Sequence, residues 1–201
     1  MLYKLQKQYR YKGYDYSQDG FYFITICCKN RKMFFGDIEN EKIQLSKIGK
    51  IVKGFWLEIS NHFPFVRLDE FVIMPNHIHG IIKIDNQNMG TGPVGTGQCP
   101  VPTNANTGQC PVPTNANINI NGGSTFGHVT PKSISTIIGS FKSITTKTIN
   151  LKFYEAGFAW QPWFHDRIIR NNDELNKIRQ YIMDNSLKWK LDRDNFENLY
   201  M

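Results

Sequence analysis

Residues 66–84 read Val66-Arg-Leu-Asp-Glu-Phe-Val-Ile-Met-Pro-Asn-His77-Ile-His79-Gly-Ile-Ile-Lys-Ile84. Two runs rich in β-branched and aromatic residues, Val66 to Met74 and His77 to Ile84, flank Pro75-Asn76, and Pro-Asn between two such runs reads as a turn. The stretch is therefore a β-hairpin near the middle of the chain. Side chains alternate along a strand, so His77 and His79 project to one sheet face and Ile78 to the other, where it packs into a core.

Working outward, Phe21 to Cys28 (FYFITICC) is a further apolar, β-branched run and reads as a strand. Ser46 to His62 carries Ile48, Ile51, Val52, Phe55 and Ile59 at helical spacing, with Ser46 as the N-cap. On the far side, Thr130-Pro131 opens a helix bearing Ile134, Ile137, Ile138, Phe141 and Ile144. Trp163 to Ile169 reads as a strand, and Asn171 to Leu187 as a helix whose Asn171 and Glu174 have capping-box spacing. The order β, α, β, β, α, β, α places two strand–helix–strand units around the hairpin. It predicts an α+β fold: a ferredoxin-like, split-βαβ antiparallel sheet with helices on one face, plus a C-terminal helix as an extra element.

One segment interrupts this pattern. From Asn86 to Pro131 there is no Asp, Glu, Lys or Arg, and TGQCPVPTNAN occurs twice in tandem, at 96–106 and 107–117. An uncharged Pro/Gly/Asn/Thr tract buries too little apolar surface to fold. The chain thus reads as one domain over 1–201, with 87–127 a disordered insertion. Two repeats fall short of a solenoid. Cys99 and Cys110 recur because the unit is duplicated, whereas Cys27 and Cys28 read as small core residues. With no CxxC pair, a zinc ribbon is not expected.

The net charge is +7 over 201 residues, which favours a polyanionic partner, nucleic acid being the common one; a solvated basic surface is the bland alternative. The N-terminus has no apolar signal-peptide core and no run reaches membrane-spanning length, so a cytoplasmic protein without a membrane partner is expected.

Two imidazoles on one face make half of a metal site, although the same pair also fits a polar, exposed sheet face. The last helix offers Tyr181 and Asn185 at i and i+4, beside its apolar stripe of Leu175, Ile178 and Ile182. A tyrosine hydroxyl is a weak nucleophile near neutrality and needs a strong electrophile. A divalent metal on His77, His79 and an amide oxygen would polarise a phosphodiester for in-line attack, and Mg²⁺ or Mn²⁺ would serve. Attack would store the bond as a phosphotyrosine, so no ATP is required; the chain has no GxxxxGK[ST] phosphate loop.

With those residues in place, FVIMPNHIHGII resembles the His-hydrophobe-His signature of the HUH single-tyrosine transposases. The C-terminal run WQPWFHDRIIRNNDELNKIRQYIMDNSLKW, together with GFYFITICCKNRKMFFG near the N-terminus, is similar to the branch associated with repetitive extragenic palindromes, the REP-associated tyrosine transposases. The resemblance covers nearly all of the chain outside the repeat. It implies a ferredoxin-like fold, His77 and His79 as the metal pair, Tyr181 as the nucleophile, Asn185 as the third ligand, and single-stranded DNA with hairpins as substrate, handled by a monomer or a homodimer. Two departures stand out. Asn185 is followed by Ser186 where the family has proline, which would let the helix run on. Phe164 and His165 stand where many relatives carry tyrosines, which leaves fewer rival nucleophiles.

Lys142, Lys147, Lys152 and Arg170 are candidate phosphate contacts, and each also fits a solvated charge. Trp160, Trp163 and Phe164 suit base stacking or a core. His165 and Asp166 suit DNA binding or an ordinary strand end. Two other functional classes compete with the transposase: a non-catalytic DNA-hairpin binder of transposase descent, and a metal-dependent hydrolytic nuclease. The nuclease would need carboxylates at the metal, and only Asp69, Glu70 and Asp85 lie near the histidines in sequence.

Overall fold

The computed structural model describes residues 13–88 and 132–189. The tandem repeat, with Cys99 and Cys110, and nearly all of the expected insertion lie outside them, as do Thr130 and Pro131.

Four strands form one antiparallel sheet: β1 (Gly20–Cys27), β4 (Val66–Ile73), β5 (His77–Ile84) and β6 (His165–Ile169), in the order β4-β5-β1-β6. With α1 (Lys47–Leu57) between β1 and β4, and α3 (Ile134–Lys152) between β5 and β6, this is the split-βαβ arrangement expected from the element order. Register follows the pleat. Opposite His77, His79 and Ile81 on β5 stand Cys27, Thr25 and Phe23 on β1, and opposite Thr25 and Phe23 stand His165 and Arg167 on the edge strand β6.

The two sheet faces carry two cores. On one, Tyr22, Ile24, Ile26, Ile78, Ile82 and Ile84 pack with Trp56 of α1 and Ile137, Ile138 and Phe141 of α3. On the other, Ile81 and Ile169 meet Leu175 and Ile182 of α4 (Asn172–Met183), flanked by Phe21, Phe23 and Val72. The histidines share this second face, so α4 is the element laid over them. Isoleucines on both faces of β5 are what make a two-sided sheet favourable.

Local chemistry sets the helix ends. Ser46 Oγ accepts from the Gly49 amide, 3.0 Å away, and starts α1. Ser133 does the same for α3 through Thr136. Asn171 Oδ1 accepts from the Glu174 amide at 2.8 Å, and Glu174 returns a carboxylate to the Arg170 amide at 3.0 Å, one residue before the reciprocal partner of a standard capping box.

Three expectations are corrected. The run 46–62 is two helices, α1 and α2 (Ile59–His62), joined at Glu58. α4 stops at Met183, capped by Asp184, so Asn185 lies in the following turn and Ser186 does not prolong the helix. A hairpin of β2 (Gly36–Glu39) and β3 (Lys42–Leu45), absent from the sequence reading, stands between β1 and α1.

Candidate active site

His77 and His79 are both buried, with ring centroids 4.4 Å apart. Each ring is held at Nδ1. His77 Nδ1 is 2.7 Å from Asn76 Oδ1, and His79 Nδ1 is 2.9 Å from Thr25 Oγ1. Thr25 is there because β1 pairs with β5 in the register that sets it opposite His79. Phe23, on the same face of β1, stacks on the His79 ring.

α4 brings Tyr181 over this pair. The Tyr181 hydroxyl lies 3.3 Å from His79 Nε2 and its ring meets Phe23 edge-on, while 43% of the residue stays exposed. Eight residues on, Trp189 is tilted over His77 with centroids 6.0 Å apart. The segment 181–189 therefore spans both imidazoles. Asn185 lies within it, buried, and its Oδ1 has no hydrogen-bond partner among the described residues. A buried amide oxygen left in that state costs free energy unless something accepts its lone pairs.

An orphaned amide oxygen on the segment that passes over two imidazoles has the chemistry of a mixed nitrogen/oxygen donor set for a divalent cation, incomplete enough to leave positions for further oxygens. Among the described residues no group of three His, Cys, Asp or Glu gathers that could hold a metal ion. Two of the three carboxylates near the histidines in sequence are engaged elsewhere. Arg179 grips Asp69 in a fork, Nε to Oδ1 at 2.8 Å and Nη2 to Oδ2 at 2.6 Å, and Asp85 pairs with Lys83. The Arg179 fork holds the Asp69 carboxyl below its ordinary value, with burial opposing. It also ties α4, and so Tyr181, to β4 at the bulge between Leu68 and Phe71.

The other candidates divide. Trp163 is 71% exposed, and His165 is exposed at the start of the edge strand on the histidine face. Arg170 is exposed at the start of α4. Trp160 is core, its indole N–H donating to Thr145 Oγ1, and Phe164 packs against the same core. Lys147 and Lys152 are exposed on α3, across the sheet from the histidines. Lys142 is half-buried; its ammonium donates to the carbonyls of Gln161 and Pro162 at 2.6 and 3.0 Å, and burial lowers its pKa. It braces the loop entering β6 in this DNA-free structure. Cys27 and Cys28 are buried thiols, as their apolar setting suggested.

Sequence reasoning missed Thr25, Asn76, Trp189 and the Asp69–Arg179 fork. Asn76 was visible as the residue before His77. The others depend on register or on the docking of α4, which no local pattern encodes.

No family model matches the chain. It is 37% identical over 188 residues to a protein of Haemophilus influenzae described as uncharacterized, covering 94% of this chain and 92% of that one. The chain belongs to the same family as that protein. Among solved structures it is similar to a REP-associated tyrosine transposase bound to a REP hairpin, with a TM-score of 0.53, 16% identity, and coverage of 90% of this chain and 74% of that one. The fold is therefore the one the sequence resemblance implied.

Proposed function

We propose that this chain is a single-tyrosine transposase of the HUH type that nicks and rejoins single-stranded, hairpin-forming DNA. The observation that carries the proposal is the placement of the Tyr181 hydroxyl, on α4, 3.3 Å from His79 of the HxH strand. The hairpin in the solved relative's complex supports the substrate class, and the net charge of +7 suits a polyanion.

Tyr181 Oη attacks a backbone phosphorus in line with the bond to the 3′ oxygen. The O–P bond forms, the P–O3′ bond breaks, and the 5′ side is left on the tyrosine. The phenolic proton passes to solvent, which the half-exposed ring admits, and the departing 3′ oxygen takes one up. Rejoining reverses the roles: a 3′ hydroxyl attacks the phosphotyrosine and the phenol leaves. His77, His79 and Asn185 Oδ1 would hold Mg²⁺ or Mn²⁺. When bound, that ion supplies Lewis-acid polarisation of the phosphodiester and orientation of its oxygens. The Tyr181 hydroxyl reaches His79 of its own chain, which supports action by a monomer, with a homodimer as the alternative. Trp163 and His165, exposed beside the site, are proposed to contact unpaired bases and phosphates, with Arg170 contributing charge.

The test is incubation with end-labelled oligonucleotides carrying palindromes from the DNA flanking the gene, with Mn²⁺ or with chelator, followed by a denaturing gel. A protein-linked labelled band that requires metal and is lost in Tyr181→Phe is expected. Tight hairpin binding without any such band, insensitive to chelator, would favour the non-catalytic binder. Free ends without an adduct would favour a nuclease, a reading the engaged Asp69 and Asp85 already disfavour. No helix among the described residues is long and apolar enough to cross a membrane.

A further inference from the structure

The turn Pro75-Asn76 does more than reverse the chain. Asn76 is fully buried, and two contacts orient its amide: Nδ2 donates to the Arg31 carbonyl at 3.2 Å, and Oδ1 faces His77 Nδ1 at 2.7 Å. A backbone carbonyl can only accept, so the nitrogen end of the amide must face Arg31 and the oxygen end His77. An amide oxygen can also only accept, so His77 Nδ1 must carry the proton. A neutral imidazole protonated at Nδ1 bears its lone pair at Nε2. We infer that Asn76 is a positioning residue that fixes His77 in the Nδ1–H form, with Arg31's carbonyl as the reference that orients the amide.

The Arg31 carbonyl is held there deliberately. Asn30 and Arg31 have φ of 55° and 51°, two consecutive non-glycine residues in the left-handed region. Such backbone is costly and persists where its surroundings over-determine it. Here the surroundings are the turn itself: Cys28 N–H donates to the Asn76 carbonyl at 2.8 Å, and Phe35 N–H to the Pro75 carbonyl at 2.9 Å. The loop after β1 is thus clipped at both ends to the turn that carries Asn76. His79 is held differently, by a hydroxyl that both donates and accepts. Of the two site histidines, His77 is the one whose tautomer is dictated by a one-way chain of partners.

This inference rests on the reading above in one respect: it supposes that Nε2 is the working atom of His77. Its test is a long-range ¹H–¹⁵N NMR spectrum of the full chain, metal-free and DNA-free, with ¹⁵N-labelled histidine. His77 protonated at Nδ1 is expected in the native chain; protonation at Nε2 overturns the inference without need of any variant. Asn76→Leu, which removes the acceptor, should release His77 to a tautomer mixture and weaken Mn²⁺ binding, followed by electron paramagnetic resonance, by about 10- to 100-fold. Asn76→Asp, which can only accept, should keep the Nδ1–H form and recover much of the affinity. An unchanged tautomer, or unchanged Mn²⁺ affinity, in a folded Asn76→Leu chain overturns the positioning role. Absence of Mn²⁺ binding by the native chain with His77 still Nδ1–H would overturn the metal reading while supporting the tautomer assignment.

Discussion

Gly80 sits between His79 and Ile81, and its substitution is the most direct probe of how the site strand is packed. Its hydrogen points into the main core, not toward the histidines. A Cβ built there would run into Trp56 Cζ2 and lie 3.1 Å from Trp56 Cη2 and 3.2 Å from Phe71 Cβ. Trp56 cannot retreat easily: it is fully buried and boxed by Phe71 and Phe141, with ring centroids at 6.1 and 5.4 Å. Overpacking of this kind costs about 1–3 kcal/mol, and a rigid indole puts the cost at the upper end. Replacing glycine in a strand recovers about 0.5–1 kcal/mol of chain entropy. The net loss for Gly80→Ala is about 2 kcal/mol, or about 4–8 °C in Tm for a chain of this size. Thermal unfolding by circular dichroism measures it. Trp56→Phe removes the colliding atoms, so the second substitution should cost at least about 1 kcal/mol less in the Gly80→Ala background than alone. A Tm within about 1 °C of the native value, or strict additivity of the pair, would refute the packing argument.

Three other perturbations address the elements around the site. Asp69→Asn opens the fork to Arg179, which is one-third exposed, so the loss is at most about 1 kcal/mol. Because Asp69's pKa is depressed in the folded chain, that contribution is present above the ordinary carboxylate value of 3.8 and is lost as pH falls through the lower folded value; the Tm gap between native and variant should close in acid, and a gap that persists would contradict the assignment. Asn185→Leu removes an amide oxygen that has no partner among the described residues, so the metal-free variant should be as stable as the native chain or more so. It should also lose the stabilisation that Mn²⁺ would give the native chain on the proposed metal site, about 2.7 kcal/mol at a hundredfold excess over Kd, read as a rise in Tm. Trp163→Ala should leave Tm unchanged, the ring being 71% exposed, and weaken single-stranded DNA binding by about 1–3 kcal/mol if a base stacks on it, as fluorescence anisotropy would show.

Much of this fold was legible where hydrophobic periodicity was strong. The hairpin over Val66–Ile84 and the common aim of His77 and His79 followed from alternation alone, and the register confirms both. The β2–β3 hairpin was not legible. Its strands are four residues long, and its turn places Asn40 and Glu41 at φ of 48° and 63° without a glycine to announce it. The end of α4 was overrun because Ile182, Met183 and Leu187 continue an apolar pattern, whereas the chain stops its helix at Asp184. Lys142 looked like a surface cation because nothing local reveals the two carbonyls that receive it. The site divided in the same way. Tyr181 and Asn185 were found through a motif, but Thr25 came into view only with strand register and Trp189 only with the docked C-terminal segment.

The proposed nucleophile is one oxygen atom, Tyr181 Oη. After reaction with a hairpin oligonucleotide and Mn²⁺, nuclease and protease digestion followed by tandem mass spectrometry would locate any nucleotide left on the protein. A phosphonucleotide linked through its 5′ phosphate to Tyr181, and to no other residue, is expected. An adduct on a different tyrosine, or complete DNA turnover with Tyr181 unmodified, would contradict it.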